Sequence, residues 1–231
     1  MNGRLFSQDF LVERILHRDG LILVIDKPAG IPVHAGPSKI KDGGDNLENY
    51  FEALRFGLPR QPALAHRLDR DTSGCLILGR HPKALRKLGK LFQEGRIEKT
   101  YLAVCAHAPD APSGRIEVPL EKISSAKGWR VEISPSGKPA ATTYRTIAQS
   151  GDHCVIEAKP KTGRTHQIRV HLASIGAPIL GDPQYGNLTQ QERSGPMLLH
   201  ASKVIIPMQS GKPAIQVEAP SPKTMIPFLK A

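Results

Sequence analysis

Thr100-Tyr101-Leu102-Ala103-Val104-Cys105 is the stretch on which the fold turns, because its β-branched, aromatic and apolar residues read as a half-buried strand. Similar short pieces follow at residues 115–118, 142–147, 154–158, 203–206 and 214–218, separated by Gly, Pro and Ser turns; residues 107–114 and 134–139 read as loops. Long helical patterns do not alternate with these strands, so regular βαβ units are disfavoured. The expected class is α+β, with a mixed, mainly antiparallel sheet and flanking helices.

Working outward towards the N-terminus, Leu21-Ile22-Leu23-Val24-Ile25 reads as a buried strand stopped by the turn Lys27-Pro28-Ala29-Gly30. Lys41-Asp42-Gly43-Gly44-Asp45 reads as a flexible loop. Beyond it Leu47, Tyr50, Phe51 and Leu54 fall at i, i+3, i+4 and i+7, with Asp45 or Asn46 as N-cap, which predicts a short amphipathic helix. A polar segment from His66 to Gly74 precedes the strand-like Cys75-Leu76-Ile77-Leu78. Residues 82–95 form a second helical pattern: Pro82 suits its first turn, Leu85, Leu88 and Phe92 its buried face, and Gly95 its stop. Its other face carries Lys83, Arg86, Lys87 and Lys90; such a face is more commonly just solvated than bound to RNA.

The chain has 231 residues, 39% hydrophobic and 23% charged, enough for a substantial core. Lys and Arg number 32 against 21 Asp and Glu, giving a net charge of +11, which favours a polyanionic partner. The basic residues are spread through residues 60–100 and 159–171 and not gathered in a tail, as expected of a charged face on a folded domain. Cys75, Cys105 and Cys154 are odd in number, distant in sequence and set in apolar runs, which suggests buried thiols and neither a disulfide framework nor a zinc site. No apolar run approaches the roughly 18 residues of a membrane span, and the N-terminus has no signal-peptide pattern. A cytoplasmic, monomeric protein is expected. The sequon Asn187-Leu188-Thr189 is read as a chance match.

Two segments carry chemistry. In Leu64-Ala65-His66-Arg67-Leu68-Asp69-Arg70-Asp71-Thr72-Ser73-Gly74 a carboxylate, Asp69, sits between Arg67 and Arg70, whose charge favours its ionised, nucleophilic or basic form. By itself an Asp-Arg turn is commonly a salt-bridged loop. In Lys159-Pro160-Lys161-Thr162-Gly163-Arg164-Thr165-His166-Gln167-Ile168-Arg169-Val170-His171-Leu172 a basic turn leads into a helix from about Thr165. Ile168, Leu172 and Ile175 are expected on its buried face, while His166, Arg169 and Ala173 share another from which Arg169 can point into a cleft. Lys, Arg and Thr at this density suit phosphate oxygens. His166 and His171 invite a zinc reading, but no third ligand lies at suitable spacing.

These segments, with Lys27-Pro28-Ala29-Gly30-Ile31-Pro32-Val33-His34, Lys99-Thr100-Tyr101-Leu102-Ala103, Gly181-Asp182-Pro183-Gln184-Tyr185-Gly186 and Leu199-His200-Ala201, make the chain resemble the RluA-type family of pseudouridine synthases over residues 15–220. The resemblance implies the pseudouridine synthase fold with a central active-site cleft. It also implies a single catalytic domain over 1–231 without an N-terminal RNA-binding domain, and no cofactor. Carried over residue by residue, it makes Asp69 the catalytic aspartate, places Tyr101 against the uracil, pairs Arg169 with Asp69, and sends Arg67 into the RNA stack where the target base leaves. Arg70, Thr72, Lys161, Arg164, Thr165 and His166 are the further candidate RNA contacts. The expected partner is structured RNA, ribosomal RNA slightly favoured over transfer RNA. A non-catalytic RNA-binding or assembly protein of the same fold would have the same basic surface but no need of Asp69. A hydrolytic nuclease would call for paired metal-binding carboxylates, which are not evident.

Overall fold

A computed structural model describes residues 6–35, 45–125 and 128–230. Residues 41–44 of the expected Gly-rich loop lie outside the described residues. The chain forms two compact units, Met1–Ile97 with Lys203–Pro220, and Glu98–Ser202 with Ser221–Ala231. In chain order the strands are β1 (Ile15–Arg18), β2 (Ile22–Lys27), β3 (Ala63–Leu64), β4 (Ser73–Gly79), β5 (Glu98–Cys105), β6 (Ser113–Glu117), β7 (Leu120–Ser125), β8 (Gly128–Ile133), β9 (Ala141–Ser150), β10 (His153–Pro160), β11 (Leu199–Ile206) and β12 (Ile215–Glu218). The α-helices are α1 (Pro82–Gln93), α2 (Gln167–Ser174), α3 (Gln190–Arg193) and α4 (Ile226–Leu229). Mixed strands with few helices make the α+β class that the strand spacing predicts.

In the first unit β2 pairs antiparallel with β1 on one side and β4 on the other, which buries nearly all of Ile22–Lys27 and explains its continuous apolar reading. In the register Lys27 stands opposite Gly74, so the end of β2 meets the start of β4 beside the polar segment of residues 66–72. The four-residue β1 escapes a periodicity argument because Ile15-Leu16-His17-Arg18 neither alternates nor runs long. Residues 47–54 form a 3₁₀ helix and not an α-helix. Its cap is Asn46, whose side chain accepts from the Glu48 N–H, and Leu47, Tyr50, Phe51 and Leu54 are buried as the spacing requires.

Helix α1 starts at Pro82 with the His81 ring accepting from the Ala84 N–H, and ends before Gly95, whose φ of 64° is the left-handed conformation that a helix stop favours. Ala84, Leu88 and Leu91 are its fully buried residues, and Leu85 and Phe92 are half-buried, so the face is broader than the predicted three. Ala84, Leu88, Leu91 and Phe92 pack with Ile22, Val24, Ile77, Val204 and Ile206. Lys83, Arg86, Lys87 and Lys90 are exposed.

The second unit places β5 beside β10, β10 beside β9 and β9 beside β6, each pair antiparallel, with the hairpin β7–β8 as a separate two-stranded sheet. The sequence pattern assigns no element to the residues of this hairpin. Of its twelve residues only Leu120 and Val131 are buried, too few to give an alternation signal. Cys105 and Cys154 stand opposite each other across β5 and β10 as free, buried thiols, and burial pushes the Cys75 thiol up to about 12.

Leu88→Ala removes a fully buried side chain and is expected to cost about 2–5 kcal/mol in urea unfolding. Lys87→Ala, one position earlier on the exposed face, is expected to stay within about 0.5 kcal/mol of the parent.

Candidate active site

The first unit builds the surroundings of Asp69 from a buried cation. Lys27 is 0% exposed at the end of β2, and its Nζ donates to the carbonyl oxygens of Pro28 (2.8 Å), Arg70 (2.8 Å) and Thr72 (2.9 Å). An ammonium has three hydrogens, and all three are used. The Arg70 carbonyl also accepts from the Gly30 N–H (2.9 Å), Arg70 Nε returns a bond to the Gly30 carbonyl (3.1 Å), and the Thr72 N–H closes a turn on the Asp69 carbonyl (3.2 Å). The turn carrying Asp69 is thus fastened to the turn after β2 mainly through its backbone, with the Arg70 side chain adding one bond. Gly30 has a φ of 87°, which is why a glycine ends Lys27-Pro28-Ala29-Gly30.

Burial pulls the Lys27 pKa down to about 7, opposed by the negative charges of Asp71 and Asp69. The candidates on this turn divide by exposure. Arg67 and Arg70 are exposed and Asp69 is half-buried, while Thr72 is 2% exposed and lends its carbonyl to Lys27. The His66 Nε2 accepts from the Ile77 N–H at 3.0 Å, which joins the start of the polar segment to β4.

The second unit holds Tyr101 and Arg169. Tyr101 lies on β5 opposite Ala158 of β10 and is 8% exposed. Helix α2 begins at Gln167, two residues later than expected, and is buried from Gln167 to Leu172, not along one stripe, with Ile175 only half-buried. The physical reason is that its polar residues have partners inside the protein. Gln167 donates to the Ala141 carbonyl (3.0 Å) and Thr142 Oγ1 (3.0 Å) and accepts from Thr162 Oγ1 (2.6 Å) and the Arg164 N–H (3.0 Å). These bonds shape the basic turn on which Lys161, Arg164 and Thr165 are exposed. His171 Nδ1 lies 2.9 Å from Thr142 Oγ1, and burial lowers its pKa, favouring the neutral ring.

Arg169, 6% exposed, makes a two-pronged pair with Asp182: Nε to Oδ2 and Nη2 to Oδ1, both 2.8 Å. Asp182 is itself 0% exposed and also accepts from the Gln184 and Tyr185 N–H groups at 2.8 and 3.0 Å. Removing one member of such a buried pair typically costs about 3–5 kcal/mol, since the other charge is left uncompensated. The Arg169 guanidinium also lies 4.8 Å from the Tyr185 ring centroid. His166, the residue before α2, has a φ of 52°, uncommon for a non-glycine, and is held there by Tyr185 Oη at 2.7 Å. Asp182 lies in a segment that the sequence resemblance singles out, but its role as the carboxylate beside Arg169 was not legible.

Lys27→Met keeps the volume and removes the three donors. It is expected to destabilise the protein by about 2–4 kcal/mol at pH 7, because three carbonyls lose their partner. The pH dependence has a defined sign. The folded pKa of about 7 lies below the ordinary lysine value, so from pH 7 upwards the unfolded chain binds more protons than the folded one. The parent should therefore gain stability relative to Lys27→Met as pH rises from about 7 towards about 10. Denaturant titrations of both proteins across that range check this.

The sequence pattern of the RNA pseudouridylate synthase family matches residues 21–174, which include Lys27, Asp69, Tyr101 and Arg169. A protein of Zymomonas mobilis described as an uncharacterized RNA pseudouridine synthase is 45% identical over 215 residues, covering 92% of this chain and 95% of its own. Ribosomal large subunit pseudouridine synthase C of Vibrio cholerae is 34% identical over 214 residues, 89% of this chain, and this chain spans 65% of its length. The structure of human RNA Pseudouridylate Synthase Domain Containing 4 superposes with a TM-score of 0.76 at 26% identity, over 95% of this chain and 92% of that one. With the family pattern over two thirds of its length and such relatives on either side, the chain belongs to the RluA-type RNA pseudouridylate synthases, isomerases that act on RNA.

Proposed function

We propose that this protein converts a uridine of a structured RNA to pseudouridine with Asp69 as nucleophile, and that the RNA is ribosomal. The observation that carries this reading is the fastening of the Asp69 turn by Lys27, which fixes the backbone immediately after a half-buried carboxylate. A nucleophile held in this way loses little entropy on reaching its target. The ribosomal assignment leans on relatives named for the large ribosomal subunit. Action in the cytoplasm as a monomer accords with it.

In this mechanism the target uridine leaves the RNA stack, since a base cannot be detached and turned while stacked. Arg67 takes its place in the stack, and Arg70, Lys161, Arg164 and Thr165 contact neighbouring phosphates. Tyr101 lies against the extruded uracil. The Asp69 carboxylate bonds to the anomeric carbon as the bond from that carbon to uracil N1 breaks, the uracil turns while still held, its carbon 5 bonds to the anomeric carbon and expels the carboxylate, and carbon 5 then loses its proton while N1 gains one. The product has the atoms of the substrate and the same oxidation state, so the reaction calls for no cofactor. A guanidinium has five N–H donors. Asp182 receives two from Arg169, and the pairing of Arg169 with Asp69 that the family resemblance implies is part of this proposal.

The test uses purified protein and an unmodified transcript of large-subunit ribosomal RNA. Asp69→Asn is expected to abolish pseudouridine formation, a loss of at least about 10³-fold in single-turnover rate, with RNA affinity retained. A variant that still makes pseudouridine at the parent rate would remove Asp69 from the mechanism.

A further inference from the structure

We propose that Trp129, on the hairpin β7–β8, is a stacking platform for an unpaired base of the RNA substrate, outside the residues assigned to the reaction. The inference rests on the functional reading above and adds a recognition element to it.

Cross-strand pairing puts Leu120, Lys122 and Ser124 of β7 on one face with Ile133, Val131 and Trp129 of β8. Near the base of the hairpin this face is core: Leu120 and Val131 pack with Val170 and Tyr185. Further along it emerges into solvent at Trp129, which is 42% exposed. The chain's single tryptophan is therefore left open although a buried surface adjoins it.

Trp129 contacts Gln184, His166 and Lys122, and its strand is further held through Val131. The Trp129 carbonyl accepts from Gln184 Nε2 at 2.9 Å, and the neighbouring Val131 N–H donates to Tyr185 Oη at 2.9 Å. The indole lies against the His166 ring, with centroids 5.0 Å apart and planes at 30°. Lys122 Nζ is 4.3 Å from the indole centroid. The Lys122 ammonium lies over the indole ring on an exposed side chain, so a base that displaces it from the ring gains a stacking surface and leaves the charge for its phosphate. The neighbouring turn supplies more charge: exposed Arg164 bonds through Nε to the Pro139 carbonyl, and the adjacent Lys138 is hydrogen-bonded to Leu120 at the root of the hairpin.

The same contacts lead inward to the Arg169 site. Trp129 stacks on His166, His166 bonds Tyr185, and Tyr185 lies against Arg169 and gives its N–H to Asp182. A base on Trp129 would thus be read by the framework that holds Arg169.

Because Trp129 is the only tryptophan, its fluorescence reports directly on the site. The probe is an unmodified large-subunit ribosomal RNA transcript, with binding measured in parallel by filter retention. Binding should quench the indole emission with the midpoint of the retention curve. Trp129→Ala should weaken binding roughly 5- to 150-fold, the range for loss of one base–aromatic stack, and Trp129→Phe should recover most of it. If RNA binds but emission and affinity are indifferent to it and to Trp129→Ala, the platform is refuted and the functional reading stands. Should Trp129→Ala fail to fold, quenching in the parent decides alone. If the parent binds no transcript, the functional reading fails and this inference with it.

Discussion

Three hydrogen bonds from one buried ammonium set the shape of the first unit's functional end. Lysine is among the residues least often fully buried, and taking its charge out of water is costly. Lys27 tolerates this because each of its hydrogens meets a carbonyl, one from its own turn and two from the turn of Asp69. The bonds from Lys27 run to backbone carbonyls, so they make no use of the Arg67, Asp69 or Arg70 side chains. This arrangement requires β2 to end where β4 begins, as the pairing of Lys27 with Gly74 provides.

The second unit solves a similar problem with a counter-charge in place of neutral carbonyls. Helix α2 is buried around Arg169, and Asp182 makes that possible by meeting the guanidinium in a fork geometry that lysine could not reproduce. Asp182 is in turn steadied by two backbone N–H groups. Both buried cations are therefore held by fixed acceptors within the protein, backbone carbonyls for Lys27 and the Asp182 carboxylate for Arg169.

Much of this was legible in the sequence wherever a local rule sufficed. The apolar runs of β2, β4 and β5, the Asn46 cap, and the Pro82 start and Gly95 stop of α1 all follow from short-range chemistry. What escaped depends on partners distant in sequence. Periodicity gave α2 one buried stripe because it scores Arg169 and Gln167 as polar, and it cannot know that Asp182, Ala141 and Thr142 receive them. Lys27 reads as the start of a turn, and its burial shows only when the carbonyls of residues 70 and 72 are seen around it. The hairpin β7–β8 has too few buried residues to announce itself. The motif residues were recognisable as a set, yet their division into surface residues such as Arg67 and supporting ones such as Thr72 needed the structure.

The most direct test of the whole account is a pseudouridine map of total RNA from cells lacking the gene, restored with either the parent protein or Asp69→Asn. The account predicts that one or a few ribosomal RNA sites lose pseudouridine on deletion, return with the parent and stay unmodified with Asp69→Asn. Sites that never change on deletion, or that Asp69→Asn restores in full, would contradict it.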